Sequence, residues 1–134
     1  MDRGQASVTA VEAALGVLLL FGVTVTFALG TPAPSSEQTQ LDAYARDAVT
    51  ILATDQPRHS GATRLAELTA SFSSFEREKG AMERRLDRLL PDNVMFRLET
   101  AHGTVGYRLP DGVTTGVATT STPTGTVTLR VWYV

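Results

Sequence analysis

Apolar positions along this chain follow three successive patterns, and each predicts a different kind of element. From Val8 to Gly30 there is no alternation: Val, Ala, Leu, Gly, Phe and Thr follow one another, Glu12 is the one ionisable side chain, and Ala13 to Leu29 carries no charge. A helix over residues 6–29 would be about 36 Å long, enough to cross a bilayer core of about 30 Å. Gly30-Thr31-Pro32-Ala33-Pro34 ends it, because proline removes amide donors and restricts the residue before it. Helical spacing then appears. Ser35 has Gln38 three residues on, the spacing of a capping box, and Leu41, Tyr44, Ala45, Ala48, Val49 and Leu52 recur on one face until Asp55, short of Pro57.

A loop from Gln56 to Gly61 leads into a 3-4 heptad of Leu65, Leu68, Phe72, Phe75, Met82, Leu86 and Leu89, running from Thr63 to Leu90 with Lys79 as the one break in the seam. Gly80 beside Lys79, and Ser73-Ser74 before them, predict a kink or a break there. The heptad reads either as an intermolecular coiled coil or as an amphipathic helix packed on its own domain, and the second is the simpler reading. From Pro91 the period becomes 2. Val94, Phe96 and Leu98 alternate with Met95, Arg97 and Glu99; Val105, Tyr107 and Leu109 follow a turn at Ala101-His102-Gly103. A Thr-rich strand over Gly116–Ser121 meets the turn Thr122-Pro123-Thr124-Gly125, and Val127, Leu129, Val131 and Tyr133 share one face of a last strand with Trp132 on the other. Two hairpins in succession imply an antiparallel sheet of about four strands with Phe96, Leu98, Tyr107, Leu129 and Val131 in the core. The fold class expected is α+β: an N-terminal transmembrane helix, two or three amphipathic helices, then the sheet.

The flanks of the first apolar run set its orientation. Arg3 and the α-amino group precede it and no base follows it up to Ser36, which places the N-terminus in the cytoplasm and residues 36–134 outside. An ordinary secretory signal, cut after Ala28-Leu29-Gly30, is one reading of the run and a plain signal anchor is another. A third takes in Arg3-Gly4-Gln5, a base, a small residue and Gln placed before the apolar segment. That arrangement resembles the class III signal of archaeal type IV pilins. The opening Arg-Gly-Gln-Ala, with Val-Glu-Ala-Ala-Leu-Gly-Val-Leu-Leu-Leu behind it, is most similar to small pilin-like proteins of halophilic archaea, and the likeness covers the first 30 residues.

The resemblance implies cutting by a membrane prepilin peptidase between Gly4 and Gln5. It divides the chain into a leader at 1–4, a transmembrane and assembly helix at 5–30, a Pro-rich hinge at 31–35 and an extracellular α+β domain at 36–134. It also implies a structural role, as a minor pilin-like subunit of a type IV pilus-like surface assembly whose partners are the membrane, the peptidase and other pilin-like subunits. Glu12 would be the eighth mature residue, whereas many bacterial pilins have Glu at the fifth. Independently of the likeness, Ala6, Ala10, Ala14, Gly22, Thr26 and Gly30 lie on one i, i+4 line broken only by Leu18, a small-residue face along which helices approach closely in lipid. Ala10, Ala14 and Gly22 are therefore candidate packing residues. Glu12 joins them, because a carboxylate in lipid needs a partner such as a neighbouring N-terminal amine. The alternative is a single-pass membrane-anchored extracellular binding module outside any filament.

Composition narrows the chemistry. The 134 residues leave about 100 outside the run, enough for one small domain. With no cysteine there is no disulfide framework and no thiolate metal site. A formal charge of −2 argues against a nucleic-acid surface, and Asn93, followed by Val94-Met95, is no glycosylation acceptor. His59 and His102 fall in predicted loops with no second ligand at metal spacing, and the glycines form no phosphate-binding pattern. Ser60 beside His59 is no triad signature. Arg84, Arg85 and Arg88 cluster near a predicted helix end, where they suit the helix dipole. No cofactor, metal or enzymatic activity is expected.

Overall fold

Ser35 caps the first helix of the computed structural model, which describes residues 35–134. The leader at 1–4, the helix expected at 5–30 and most of the hinge lie outside the described residues. So do Arg3, Gly4, Gln5, Ala10, Glu12, Ala14 and Gly22. Among the described residues no helix is long and apolar enough to cross a membrane. The transmembrane helix is therefore struck from the fold class, which becomes an α+β domain of three helices and one four-stranded antiparallel sheet. The reason is visible in the longest of the three, α1 (Ser36–Thr54): Glu37, Asp42, Arg46 and Asp47 interrupt it, and only one face is buried.

At the start of α1 the Gln38 amide donates to Ser35 Oγ at 3.1 Å. The reciprocal half of the expected capping box is replaced. Gln38 Nε2 instead donates to the Thr115 carbonyl at 2.8 Å, tying the helix to the sheet. Asp55 closes α1, and the buried face is Leu41, Ala45, Ala48, Val49 and Leu52, at the helical spacing read from the sequence.

The expected long helix is two helices, α2 (Arg64–Thr69) and α3 (Phe72–Leu89). The break falls at Ala70-Ser71, ahead of both places predicted for it. Ser71 Oγ accepts the Ser74 amide at 3.1 Å and starts a new helix. Thr69, the last residue of α2, is meanwhile held by hydroxyl bonds to Thr122 and Thr124 across the domain. Gly80 passes through α3 without a break. Once the helix is interrupted the heptad no longer carries Phe72 inward, and this residue is 63% exposed rather than part of the seam. Leu65, Leu68, Phe75, Met82 and Leu86 are buried. They belong to the domain's own core, as the amphipathic reading requires.

The strands are β1 (Val94–Thr100), β2 (Gly103–Gly106), β3 (Gly116–Thr122) and β4 (Gly125–Tyr133), in the spatial order β2-β1-β4-β3 and antiparallel throughout. Two hairpins lie side by side with their long strands at the centre, where Leu98 faces Leu129 and Phe96 faces Val131. Val127, Leu129 and Val131 are fully buried on the helix side, as expected. β2 stops earlier than predicted. Gly106 turns at φ +105°, against the Phe96 carbonyl and ring, and the chain leaves the ladder there. Tyr107 still donates its amide to Phe96 and stacks edge-on against its ring at 5.4 Å, but it is 38% exposed and not a core residue. Trp132 is buried to 3% on the face of β4 away from the main core, while Tyr133 packs half-buried against that core.

Helix α1 crosses β3 and β4. Its backbone comes so close at Leu41 and Asp42 that only glycine fits at 116, where a Cβ would stand 2.6 Å from the Asp42 nitrogen. Asp42 then reaches round the sheet edge to accept the Val117 amide at 3.0 Å.

Candidate functional site

Two polar places stand out within the domain. The first is built on the loop between α1 and α2. Glu67 sits in α2 between Leu65 and Leu68 and is 1% exposed. A buried carboxylate needs donors. The loop supplies three backbone amides: Arg58 at 2.9 Å and Ser60 and His59 beside it, the last at 2.8 Å. Burial pushes the Glu67 carboxyl up. The Ser60, Arg58 and His59 amides together outweigh it, and the net direction is below the usual carboxylate range.

Glu78 of α3, 3% exposed, meets the same loop from the other side. Arg58 Nη1 donates to it at 3.2 Å, Arg77 Nε at 3.1 Å, and His59 Nε2 lies 3.5 Å away. Asp55 receives Arg85 Nε at 2.9 Å and Nη2 at 3.3 Å, with Arg64 3.9 Å off. That hydrogen bond to Asp55 is the main reason the Arg85 guanidinium is held above its ordinary range. One of the three arginines clustered near the helix end, Arg85, is thus an internal tie between the end of α1 and α3. Sequence reading found no carboxylate near His59; the fold brings Glu78 to it from 19 positions along the chain. His102 lies in the β1–β2 turn, its amide bonded to Thr100. Among the described residues no group of three or more His, Asp or Glu side chains could hold a metal ion. The network holds the loop, and every buried side-chain polar atom in it has a partner.

The second place is an open cleft of about 570 Å³ lined by Ser36, Glu37, Gln40, Tyr44, Asn93 and Tyr133. The first turns of α1 supply one wall. The Pro91–Asn93 turn and the end of β4 supply the other, held together by the Val134 amide on the Asn93 carbonyl at 3.0 Å. Tyr44 and Tyr133 pack against the core, and Gln40 Nε2 donates to the Tyr44 hydroxyl at 3.1 Å. Partial burial, then the Tyr44 phenol and the Glu37 carboxylate, push the Tyr133 phenol up. Sequence reading missed this cleft: Tyr44 reads as one more apolar-face residue, and Asn93 as part of a turn.

Fold and site together define a small α+β domain, two hairpins under three helices, with a charge-clamped loop and one open polar cleft. The chain belongs to DUF7262, a family of unknown function, whose profile matches residues 2–133. No curated protein and no solved structure matches it.

Proposed function

We propose that the chain is a minor, non-enzymatic pilin-like subunit of an archaeal type IV pilus-like surface assembly. In this reading a prepilin peptidase cuts between Gly4 and Gln5, the apolar segment holds the mature protein at the cell membrane, and the domain stands outside. The observation that carries it is the order Arg3-Gly4-Gln5 followed by Ala13 to Leu29 without a charge. A base and a small residue ahead of the apolar run, rather than after it, suit a cut that leaves the run on the mature protein. Further support comes from the domain's order, helices first and strands last. Ala10, Ala14 and Gly22, with Glu12, are the subunit contacts of this reading. The open cleft favours a second reading, an anchored binding module outside any filament.

The intact mass of the membrane-extracted protein tests the proposal. Mature protein should begin at Gln5, and Gly4→Leu should block maturation because a bulky side chain does not fit a peptidase that takes small ones. A mature protein beginning at Met1 or at Thr31 would refute it. To separate subunit from anchored module, Ala14→Leu with Gly22→Leu keeps the segment apolar and should leave the protein in membranes while removing it from the sheared surface fraction.

A further inference from the structure

The cleft beside the start of α1 has a donor and acceptor set that selects among ligand classes. Five of its six side chains are neutral groups that both donate and accept: the Ser36 hydroxyl, the Gln40 and Asn93 amides and the Tyr44 and Tyr133 phenols. Glu37 adds an acceptor. Among the described residues no Lys or Arg lines it, so there an anion would meet no counter-charge. The described lining has no aliphatic wall, so an acyl chain would find no apolar floor in it. An ammonium group would satisfy Glu37 but would leave the Gln40 and Asn93 N–H donors without a role. Sugar hydroxyls, each a donor and an acceptor, match the whole set. The volume of about 570 Å³ falls within the range of roughly 300–1,000 Å³ usual for small-ligand sites. Part of the wall is anchored: both tyrosines rest on the core, the Gln40 bond orients Tyr44, and the Val134 amide holds the Asn93 turn.

We propose that this cleft binds a neutral saccharide, with Gln40, Asn93, Glu37 and the two phenols bonding its hydroxyls. The inference goes beyond the filament reading and is independent of it, since every residue it uses lies in the α+β domain. If it failed, the processing test above would be untouched.

The test is saturation-transfer NMR on the full-length protein, extracted in a detergent without a sugar headgroup. The probes are chitotriose, mannotriose and maltotriose, with tetramethylammonium as the cationic competitor. At least one trisaccharide should take up saturation. Gln40→Ala with Asn93→Ala, both exposed positions, should weaken it by about tenfold or more, the loss expected for two hydrogen bonds. Glu37→Gln, which keeps an acceptor and removes the charge, should leave sugar binding in place. Absence of transfer to all three sugars at millimolar concentration would overturn the proposal, as would binding of tetramethylammonium alone that Glu37→Gln abolishes.

Discussion

Replacing Glu67 is the sharpest test of how this domain is held together. In Glu67→Ala the amides of Arg58, His59 and Ser60 lose their common acceptor, and a buried volume is left behind. Hydrogen bonds to a charged group are worth about 1.5–3 kcal/mol each. The loop is only partly buried and can open to water, so the low end applies and the sum is about 3–5 kcal/mol. Against a usual domain stability of about 5–15 kcal/mol, that is about a fifth of the total or more. Glu67→Gln keeps one acceptor oxygen but turns an NH2 group toward amide donors, so its loss should be intermediate, about 2–3 kcal/mol.

Urea melts of residues 35–134, followed by far-UV circular dichroism at neutral pH, should rank wild type above Gln above Ala. The pH dependence supplies a second check. The folded carboxyl lies below its ordinary value of 4.5, so its contribution is complete above that value and is lost as the pH falls through the lower folded value. Gln does not titrate. The gap between wild type and Glu67→Gln should therefore be constant near neutrality and narrow on acidification below the ordinary value. An Ala variant costing under about 1 kcal/mol, or a gap that stays constant into acid, would show that water serves the three amides as well as Glu67 does.

Two further predictions use the same melts. Gly116→Ala places a methyl group on the backbone of Leu41 and Asp42, which cannot step aside as a side chain would, and should cost about 2–4 kcal/mol; a loss under about 0.5 kcal/mol would mean that α1 is not seated on β3. Leu129→Ala removes a fully buried side chain from a central strand opposite Leu98 and should cost about 2–5 kcal/mol, whereas a cost near that of a surface substitution would refute the β1–β4 register.

Most of the strands were legible in the sequence because period 2 is a local signal, and Val127, Leu129 and Val131 needed nothing more. The misses have local causes of another kind. Gly80 was the weakest helix former in the long heptad, but glycine costs a helix only about 1 kcal/mol, and tertiary packing covers that. The break was decided at Ser71 by a cap and by Thr69 hydroxyl bonds to residues more than 50 positions away. Tyr107 continued the alternation of its strand, and one glycine at positive φ took it out of the ladder. Glu67 lies between the seam positions Leu65 and Leu68, where nothing in the pattern marks it for burial. Its sense depends on a loop whose amides converge only after folding. The cleft joins residues 36–44 to 93 and 133, a meeting that no spacing announces.

These contacts also define how the domain would carry load. Helix α1 is tied at both ends. At its start Gln38 binds the Thr115 carbonyl, Asp42 binds the Val117 amide, and Leu41 lies on Gly116; at its end Asp55 holds Arg85 of α3. With no cysteine in the chain, these polar seams and the core beneath them do what a cross-link does in many small extracellular domains. Under the filament reading, tension enters the domain at Ser35, next to the β3 seam, so backbone seating and two hydrogen bonds resist it together. The Asp55–Arg85 pair comes later and is partly exposed, so salt should weaken it more than the buried Glu67 clamp. The Gly116 seam is therefore where a subunit under load would yield, and a side chain placed there should lower mechanical resistance more than its equilibrium cost suggests.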